Sequence, residues 1–238
     1  MEKHKNFLLL MMGGKGTRFQ NDIPKQYSFV NGLPIYLYIL RRYNVMKNID
    51  HIVIVTNPDY LEQTKEWNRF VESDKVYSVI SGGKGRSKDI KNALEVINEI
   101  ATEDDVVLIH DATHPYVDID GTNQVIEAIE KYGAATLGGK QFDTVYQIED
   151  GMLKEVINRE NVVSGASPEG FKFGLIYDIY SKTTPEELDK MTSAGALALS
   201  NNIKMAVVPT NLLNFKVTYP DDMLIMQNLT ETYFFKEG

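Results

Sequence analysis

A glycine-rich stretch with basic side chains follows the first apolar run of the chain. It reads Gly13-Gly14-Lys15-Gly16-Thr17-Arg18, and a further lysine lies in Pro24-Lys25-Gln26-Tyr27. Glycines let backbone N–H groups approach phosphate oxygens closely, and lysine and arginine neutralise phosphate charge. The stretch therefore indicates a phosphate-binding loop, although an ordinary glycine-rich turn with solvated basic side chains is about as common for such a pattern.

Two well-known phosphate-binding motifs do not describe this stretch. The Walker pattern G-x-x-x-x-G-K-[ST] is absent. The dinucleotide pattern G-x-G-x-x-G/A fails because Phe19 stands where its last small residue would be. We therefore expect neither of these two motifs to explain the loop.

Two later loops carry further candidates. Gly82 and Gly83 precede a strong helical pattern. They could form a plain turn, or they could be a place where backbone groups contact the edge of a ligand base while the helix N-terminus faces an anion. Asp111 ends an apolar run, where it could hold Mg²⁺ or a sugar hydroxyl, or could be a structural aspartate. His110 and His114 are four residues apart but flank a strand end, so we do not expect a helical zinc pair.

A fourth candidate is Lys216, which interrupts the apolar segment 214–218 near the end of the chain. We predict that this segment is a late strand, and a lysine inside such a strand is a candidate site residue. The alternative is a surface lysine whose alkyl stem packs on the protein while its amine reaches water.

The elements that must position these loops alternate along the chain. We predict strands at 7–12, 51–56, 76–80, 106–110 and 205–208, and helices at 34–47, 59–71, 86–101, 121–132, 172–181, 185–199 and after Pro220. This alternation predicts an α/β, Rossmann-like fold in which helices flank a mostly parallel twisted sheet. Ligands bind at the carboxyl ends of strands in such sheets, so the candidate loops should meet.

The pattern of apolar and polar residues changes between residues 134 and 163. Alternating segments flank Asp150-Gly151, a strong signal for a hairpin turn, so we predict an antiparallel β-arm at about 139–163. No linker or repeat divides the sequence. We therefore expect residues 1–238 to form a single domain that carries this arm.

Composition limits the possible partners and the compartment. The 238 residues are 43% hydrophobic and carry a net charge of −8, so we expect a folded protein that binds neither nucleic acid nor anionic membranes. There is no cysteine, and only six apolar residues follow the N-terminal Met1–Asn6. These features favour a cytoplasmic protein without a signal peptide or membrane span.

Taken together, the motifs resemble those of the cytidylyltransferases that make CDP-methylerythritol or CDP-ribitol, within the glycosyltransferase-A-like nucleotidyltransferases. The resemblance covers about residues 7–223. The motifs that carry it are Gly14-x-Gly16-x-Arg18, Pro24-Lys25-Gln26-Tyr27, Gly82-Gly83-x-x-Arg86, His110-Asp111-Ala112-x-x-Pro115, Asp143-Thr144-Val145, Arg159, Ser167-Pro168-x-Gly170-Phe171 and Asn214-x-Lys216-Val217-Thr218.

The resemblance implies a reaction in which the phosphate of an alditol phosphate attacks the α-phosphorus of CTP and pyrophosphate leaves. It implies Mg²⁺ or another divalent cation, with Asp111 as the metal ligand, and catalytic roles for Arg18, Lys25 and Lys216. The implied nucleotide-binding residues are Met12, Gly13, Gly14, Lys15, Gly16, Gly82, Gly83, Arg86, Asp89, Asp111 and Ala112. The implied acceptor-binding residues are Asp111, Thr144, Arg159 and Thr192.

The resemblance also implies a homodimer with arm exchange, in which Thr144 and Arg159 reach the partner's acceptor phosphate. Three departures from the family pattern concern the base and the acceptor: Asp89 replaces a usual serine or threonine, His114 replaces an arginine, and an acidic pair is missing from Met191-Thr192-Ser193-Ala194.

Three functions remain as hypotheses. The glycine-rich start favours ribitol 5-phosphate as the acceptor, with 2-C-methyl-D-erythritol 4-phosphate close behind. The alternatives are a sugar-1-phosphate nucleotidyltransferase that uses another nucleotide, and a non-catalytic nucleotide-binding homologue.

Overall fold

A seven-stranded sheet forms the centre of the protein, in a computed structural model that describes residues 4–14, 23–210 and 214–230. Its strands are β1 (Asn6–Met12), β4 (His51–Thr56), β5 (Val76–Ser81), β6 (Val106–Asp111), β7 (Ala134–Lys140), β10 (Val163–Lys172) and β11 (Ala206–Thr210). They lie in the order β11-β7-β10-β6-β1-β4-β5, and only β10 is antiparallel to its neighbours. Two small separate sheets pair β2 (Phe29–Val30) with β3 (Leu33–Pro34) and β8 (Val145–Glu149) with β9 (Met152–Ile157).

Helices cover both faces of the large sheet. They are α1 (Ile35–Asn44), α2 (Leu61–Asn68), α3 (Arg86–Asn98), α4 (Ile119–Tyr132), α5 (Phe173–Lys182), α6 (Pro185–Leu188), α7 (Ala194–Ser200) and α8 (Asp222–Leu229). The predicted α/β fold with a mostly parallel sheet is confirmed.

In the part of the chain that is described, no helix is both long and apolar enough to cross a bilayer.

The central strand β1 shows how the sequence builds this arrangement. All seven of its residues are buried, because the run is apolar on both sides of the strand. Successive side chains point to opposite faces of a sheet, so Leu8 and Leu10 join the core beneath α1 and α4, whereas Phe7 and Leu9 join the core beneath α3 and α5.

Two predicted elements were wrong. The helix predicted at 185–199 is interrupted, because Ser193 starts a new helix by accepting a hydrogen bond from the backbone N–H of Ala196 at 2.9 Å. The strand predicted around Lys216 is an extended segment outside the sheets; its Val217 N–H donates to the carbonyl of Thr113 at 2.9 Å. That contact fixes Lys216 close to the end of β6 without strand pairing.

The predicted hairpin is confirmed as β8 and β9, joined at Asp150 and Gly151. Both turn residues have positive φ, 50° and 79°, as a two-residue hairpin turn requires. The hairpin pairs with no other strand among the described residues and connects β7 to β10. We call residues 141–162 the arm.

Candidate active site

A cleft of about 440 Å³ opens at the carboxyl ends of β1, β5 and β6, and we call it the main cleft. It brings together three basic and two acidic side chains from distant parts of the sequence. The residues that line it are Met11, Met12, Gly13, Gly14, Lys25, Gln26, Gly83, Gly85, Arg86, Asp89, Asp111, Thr113 and Lys216. The predicted meeting of the candidate loops at this end of the sheet is therefore observed.

The segment Pro24–Tyr27 is fixed against the end of β1. Gln26 donates from Nε2 to the carbonyls of Met12 and Gly14, both at 2.8 Å. The Tyr27 hydroxyl accepts a hydrogen bond from the Asn57 N–H at 2.9 Å and lies 2.7 Å from the Thr56 hydroxyl. These contacts hold the short 3₁₀ turn that carries Lys25 at the wall of the main cleft.

The loop between β5 and α3 is held by Asp89, in the first turn of α3. One carboxylate oxygen accepts the Gly83 N–H at 2.9 Å, and the other accepts the Lys84 N–H at 3.1 Å. Only 3% of Asp89 is exposed. The sequence suggested that backbone groups of this loop contact a ligand, yet the Gly83 and Lys84 N–H groups are bonded to the chain's own carboxylate.

Asp111 forms the centre of an ionic network. Its Oδ1 accepts from Arg86 Nε at 2.9 Å, and its Oδ2 lies 3.5 Å from Lys216 Nζ. Arg86 also donates from Nη2 to Glu169 at 3.0 Å, whereas its buried Nη1 has no hydrogen-bond partner among the described residues. Glu169 in turn accepts the N–H groups at the start of α7, those of Ala194 and Gly195.

The charges in this network stabilise one another. Burial alone would raise the pKa of Asp111, but Arg86 and Lys216 outweigh it, so the pKa lies below its usual value. Burial would likewise lower the pKa of Arg86, but Asp111 and Glu169 raise it above its ordinary value. Asp111 is therefore an anion and Arg86 a cation at neutral pH.

The two histidines beside this network are neutral. His110 is fully buried, with Nδ1 2.8 Å from the Tyr43 hydroxyl and Nε2 2.8 Å from the His114 carbonyl. Burial lowers the pKa of both His110 and His114 to about 4, and the nearby Lys216 adds to the effect at His114. His110 is thus a hydrogen-bonded core residue.

A second opening of about 570 Å³ adjoins the main cleft, and we call it the side cleft. Arg86, Asp111 and Lys216 line both openings. Thr192 lines the side cleft only, as do Ser193 and Gly195 near the start of α7. A ligand that fills both openings would therefore meet the ionic network in the middle.

The two arm residues predicted to bind the acceptor do not line either cleft. Thr144 precedes β8, and Arg159 follows β9 in a short 3₁₀ turn. Both are exposed, and Arg159 donates to the carbonyl of Phe142 within the arm.

A comparison of the sequence with models of known protein families gives a match. The family model described as IspD, 2-C-methyl-D-erythritol 4-phosphate cytidylyltransferase, matches residues 7–232. The chain belongs to the IspD family. The predicted resemblance to the cytidylyltransferases, which are nucleotidyltransferases, is confirmed.

Individual relatives agree with this assignment. The chain is 31% identical over 222 residues to the 2-C-methyl-D-erythritol 4-phosphate cytidylyltransferase of Clostridium botulinum (strain Eklund 17B), covering 93% of this chain and 97% of that one. It is 29% identical to the enzyme of that name from Thermosipho melanesiensis, covering 93% and 96%. These names give no support to the ribitol branch, which the glycine-rich start had favoured.

Solved IspD structures share the fold. The Francisella tularensis enzyme superimposes with a TM-score of 0.77 at 25% identity, over 93% of this chain and 98% of that one. The 4-diphosphocytidyl-2C-methyl-D-erythritol synthase of Anaerococcus prevotii gives a TM-score of 0.81 at 22% identity, over 96% of each chain.

The structure brings together many of the site residues predicted for this IspD-family chain, whose roles stay predictions. Nine line the main cleft: Met12, Gly13, Gly14, Lys25, Gly83, Arg86, Asp89, Asp111 and Lys216. Gly82 lies behind the cleft wall, donating its N–H to the Thr56 carbonyl. Ala112 is fully buried in the core beneath the cleft. Lys15, Gly16 and Arg18 lie outside the described residues, and their roles stay predictions.

The metal prediction concerns a single carboxylate. The described residues contain no group of three or more His, Asp or Glu side chains able to hold a metal ion. Mg²⁺ is often held by one or two carboxylates together with substrate phosphates, and the ionised Asp111 at the junction of the clefts fits that chemistry.

Sequence reasoning missed the structural role of three residues that organise the site. Gln26 and Tyr27 were noticed only as part of a motif, and Glu169 not at all. A polar Gln or Tyr beside a candidate lysine, and an acidic residue within Ser167-Pro168-Glu169-Gly170, were the available signals. Their role becomes visible only from the hydrogen bonds that link separate strands.

Proposed function

We propose that this protein transfers a cytidylyl group from CTP to 2-C-methyl-D-erythritol 4-phosphate and releases pyrophosphate. The observation that carries the proposal is the convergence of Lys25, Arg86 and Lys216 on one cleft in a protein of net charge −8. Such a local cluster of cations suits a triphosphate. The acceptor is inferred from the names of the relatives.

In the proposed reaction, a phosphate oxygen of the acceptor attacks the α-phosphorus of CTP. A new P–O bond forms, the bond from the α-phosphorus to the β-bridging oxygen breaks, and that oxygen leaves with its electron pair on pyrophosphate. The reaction needs alignment and charge neutralisation more than a protein nucleophile.

The proposal assigns charge neutralisation to side chains in both walls of the main cleft. Lys25 and Lys216 stabilise the negative charge that accumulates around the α-phosphate, and Arg18 adds to it as the family resemblance implies. Arg86 has one buried guanidinium nitrogen, Nη1, without a partner among the described residues, which could donate to a phosphate oxygen of the ligand. Asp111 would hold the divalent cation, which neutralises phosphate charge when bound.

The side cleft is the proposed acceptor site. It adjoins the main cleft at the ionic network and is lined by Thr192 and Ser193, whose hydroxyls suit a polyol. The described part of this cleft offers Arg86 and Lys216 as cations, and both also face the main cleft. An acceptor phosphate would gain from a further cation.

We propose that the arm of a second copy supplies that cation through Arg159, with Thr144 beside it. One face of the hairpin is apolar, because Tyr146 pairs with Val156 and Ile148 pairs with Leu153. These four side chains are 49% to 66% exposed. An isolated hairpin with an uncovered apolar face is typical of a protein interface, and a second copy of the chain is the proposed partner.

Pyrophosphate release tests the function. The protein is incubated with Mg²⁺, with CTP, UTP, ATP or GTP in turn, and with 2-C-methyl-D-erythritol 4-phosphate, ribitol 5-phosphate or a sugar 1-phosphate. We expect release with CTP and the methylerythritol phosphate. Faster release with ribitol 5-phosphate would replace the acceptor, preference for another nucleotide with a sugar 1-phosphate would replace the reaction, and no release with any pair would indicate a non-catalytic homologue.

A further inference from the structure

Glu169, in β10, lines the side cleft and is hydrogen-bonded through both of its carboxylate oxygens. Its Oε1 accepts from Arg86 Nη2 at 3.0 Å and from the Ala194 N–H at 3.2 Å, and its Oε2 accepts the Gly195 N–H at 2.8 Å. Only 12% of its side chain is exposed. A carboxylate has about four acceptor positions, so most of them serve the protein itself. Glu169 therefore holds neighbouring groups in place and has little capacity left for a ligand.

The start of α7 depends on this carboxylate. The first N–H groups of a helix have no partner within the helix, and Glu169 accepts two of them. A negative charge at this end also stabilises the helix. Thr192 and Ser193, which directly precede α7, line the side cleft. The carboxylate thus fixes one wall of the proposed acceptor site.

Two further contacts join the first turn of α3 to the α6–α7 loop, the segment between those two helices. Ser87 donates from Oγ to the Met191 carbonyl at 3.3 Å, and Lys88 Nζ lies 2.7 Å from Asp189. Arg86, the first residue of the same turn, lines the main cleft and reaches the start of α7 through the shared carboxylate. The turn at the main cleft and the wall of the side cleft are therefore connected through three successive side chains.

We propose that Glu169 is a positioning residue that couples the two clefts, with Ser87 as a second link, so that a nucleotide in the main cleft strengthens binding of the acceptor in the side cleft. A guanidinium group is planar and rigid, so a phosphate bonded to Arg86 also fixes the direction in which Nη2 donates to Glu169. The carboxylate then orders the start of α7, and the acceptor loses less conformational freedom on binding. This inference rests on the proposed function, since it concerns the two substrates of that reaction.

Calorimetric titration measures the coupling without turnover. The dissociation constant of 2-C-methyl-D-erythritol 4-phosphate is measured with Mg²⁺, with and without a CTP analogue whose α–β bridging oxygen is replaced by methylene, which blocks pyrophosphate release. The ratio of the two constants is the coupling factor. We expect the analogue to tighten acceptor binding at least about fivefold, and the acceptor to tighten analogue binding equally, because such coupling is reciprocal.

Glu169→Gln should reduce the coupling factor to below about twofold. The amide has nearly the same volume, but it carries no charge for Arg86 and its NH₂ group cannot accept a hydrogen bond. In either orientation of the amide, at least one of the three donors that Glu169 accepts from would therefore face another donor. The factor is measured in the same titrations, and the melting temperature shows whether the variant is folded.

Asp105→Asn is the matched control. Asp105 is also a buried carboxylate, 2% exposed, and it accepts two backbone N–H groups, from Lys5 and Thr102 at 2.8 Å each, at the opposite end of the sheet. Its replacement should lower the melting temperature and leave the coupling factor unchanged. A merely structural role for Glu169 would weaken acceptor binding equally with and without the analogue, so both variants would keep the wild-type factor.

Ser87→Ala tests the second link and leaves every charge in place. Ser87 is 4% exposed and lines neither cleft. Loss of its hydrogen bond should reduce the coupling factor about twofold, as for one neutral hydrogen bond. Binding of the analogue without acceptor should change less than about twofold. If Glu169→Gln does not fold, this variant decides: a reduced factor supports the inference, and the wild-type factor overturns it.

The outcomes separate the inference from the proposed function. A wild-type factor below about twofold, or an unchanged factor in Glu169→Gln, would overturn the inference even if the protein releases pyrophosphate from CTP. A coupling factor that depends on Glu169, without pyrophosphate release, would support the inference and overturn the enzymatic function. Absence of acceptor binding to the wild-type protein, with and without the analogue, would overturn both.

Discussion

The main cleft and the arm differ in how their side chains are held. In the cleft, Gln26, Asp89 and Asp111 each make hydrogen bonds or ion pairs that tie separate strands and loops together. In the arm, Thr144 and Arg159 are exposed, and the hairpin that they flank pairs with no other strand among the described residues. The difference is what we expect if, as proposed above, one chain preorganises the nucleotide site by itself and a second copy completes the acceptor site.

The largest expected effect is that of removing charge from the cleft. Lys25→Ala should lower kcat about 100- to 1000-fold, the range for loss of one group that stabilises transition-state charge. The CTP dissociation constant should change much less. Single-turnover kinetics and CTP titration measure the two quantities. Lys65→Ala, which removes an exposed lysine paired with Glu62 on α2, is the control. An unchanged kcat for Lys25→Ala would remove this residue from the site.

The next largest expected effect is on the assembly of the proposed dimer. Leu153→Lys places a charge on the apolar face of the arm, opposite Ile148. We expect dimers to dissociate at micromolar protein concentration, with transfer activity lost and CTP binding retained. Light scattering after gel filtration measures the mass. Gln147→Lys puts the same charge on the other face, opposite Glu155, and should leave the dimer intact. Dimers of Leu153→Lys as stable as the wild type would contradict the proposed interface.

A smaller effect is expected when a positive charge is removed from the arm. Arg159→Ala should raise the KM for the acceptor about tenfold, because an arginine–phosphate contact is a charge-assisted hydrogen bond. The KM for CTP and the dimer mass should not change. Lys154→Ala, which removes another arm cation, is the control. An equal loss of affinity for both substrates would contradict a role specific to the acceptor.

A further expected effect is on stability rather than on activity: it concerns pH and depends on the body of the protein rather than on the arm. Burial lowers the pKa of His110 and His114 to about 4, whereas a histidine in an unfolded chain has a pKa of about 6.5. Between these values the unfolded chain binds more protons, so the free energy of unfolding should fall as pH decreases from 6.5 to 4. The melting temperature followed over this range measures the effect.

His114→Asn should reduce that slope, since one of the two groups is removed. Asp111 acts in a different range: its pKa is lowered, so the stability it contributes is present above a pH of about 4 and is lost only under more acidic conditions. A melting temperature that is constant from pH 7 to 4.5 would contradict the burial of neutral histidines.

The sequence predicted the parts of this protein that depend on local pattern. Alternating apolar runs and helical periodicity predicted the parallel sheet, and Asp150-Gly151 predicted the hairpin, because turn geometry and amphipathic period are properties of neighbouring residues. The strand predicted around Lys216 was wrong, since an apolar segment becomes a strand only where a neighbouring strand is free to pair with it.

The candidate site was predictable as a set of loops and less so as a set of contacts. Residues that follow strand ends converge in any parallel sheet, which placed Gly13, Gly83 and Asp111 together. The Asp89 carboxylate lies so close to Gly13 that an added Cβ would be 2.6 Å from Oδ2. This proximity depends on distances between β1 and α3 that no local pattern contains. Glu169 was missed for the same reason, because its partners Arg86 and Ala194 are distant in sequence.

Complementation between two damaged variants tests most directly whether two copies build one site. Lys25→Ala and Arg159→Ala are co-expressed with different tags, and the mixed dimer is isolated and assayed with CTP, Mg²⁺ and low 2-C-methyl-D-erythritol 4-phosphate. One of its two sites combines an intact Lys25 with an intact Arg159 from the other chain, so we expect activity of about half the wild-type value, following the symmetry of the dimer. Activity no higher than the mean of the two separate variants would contradict the account.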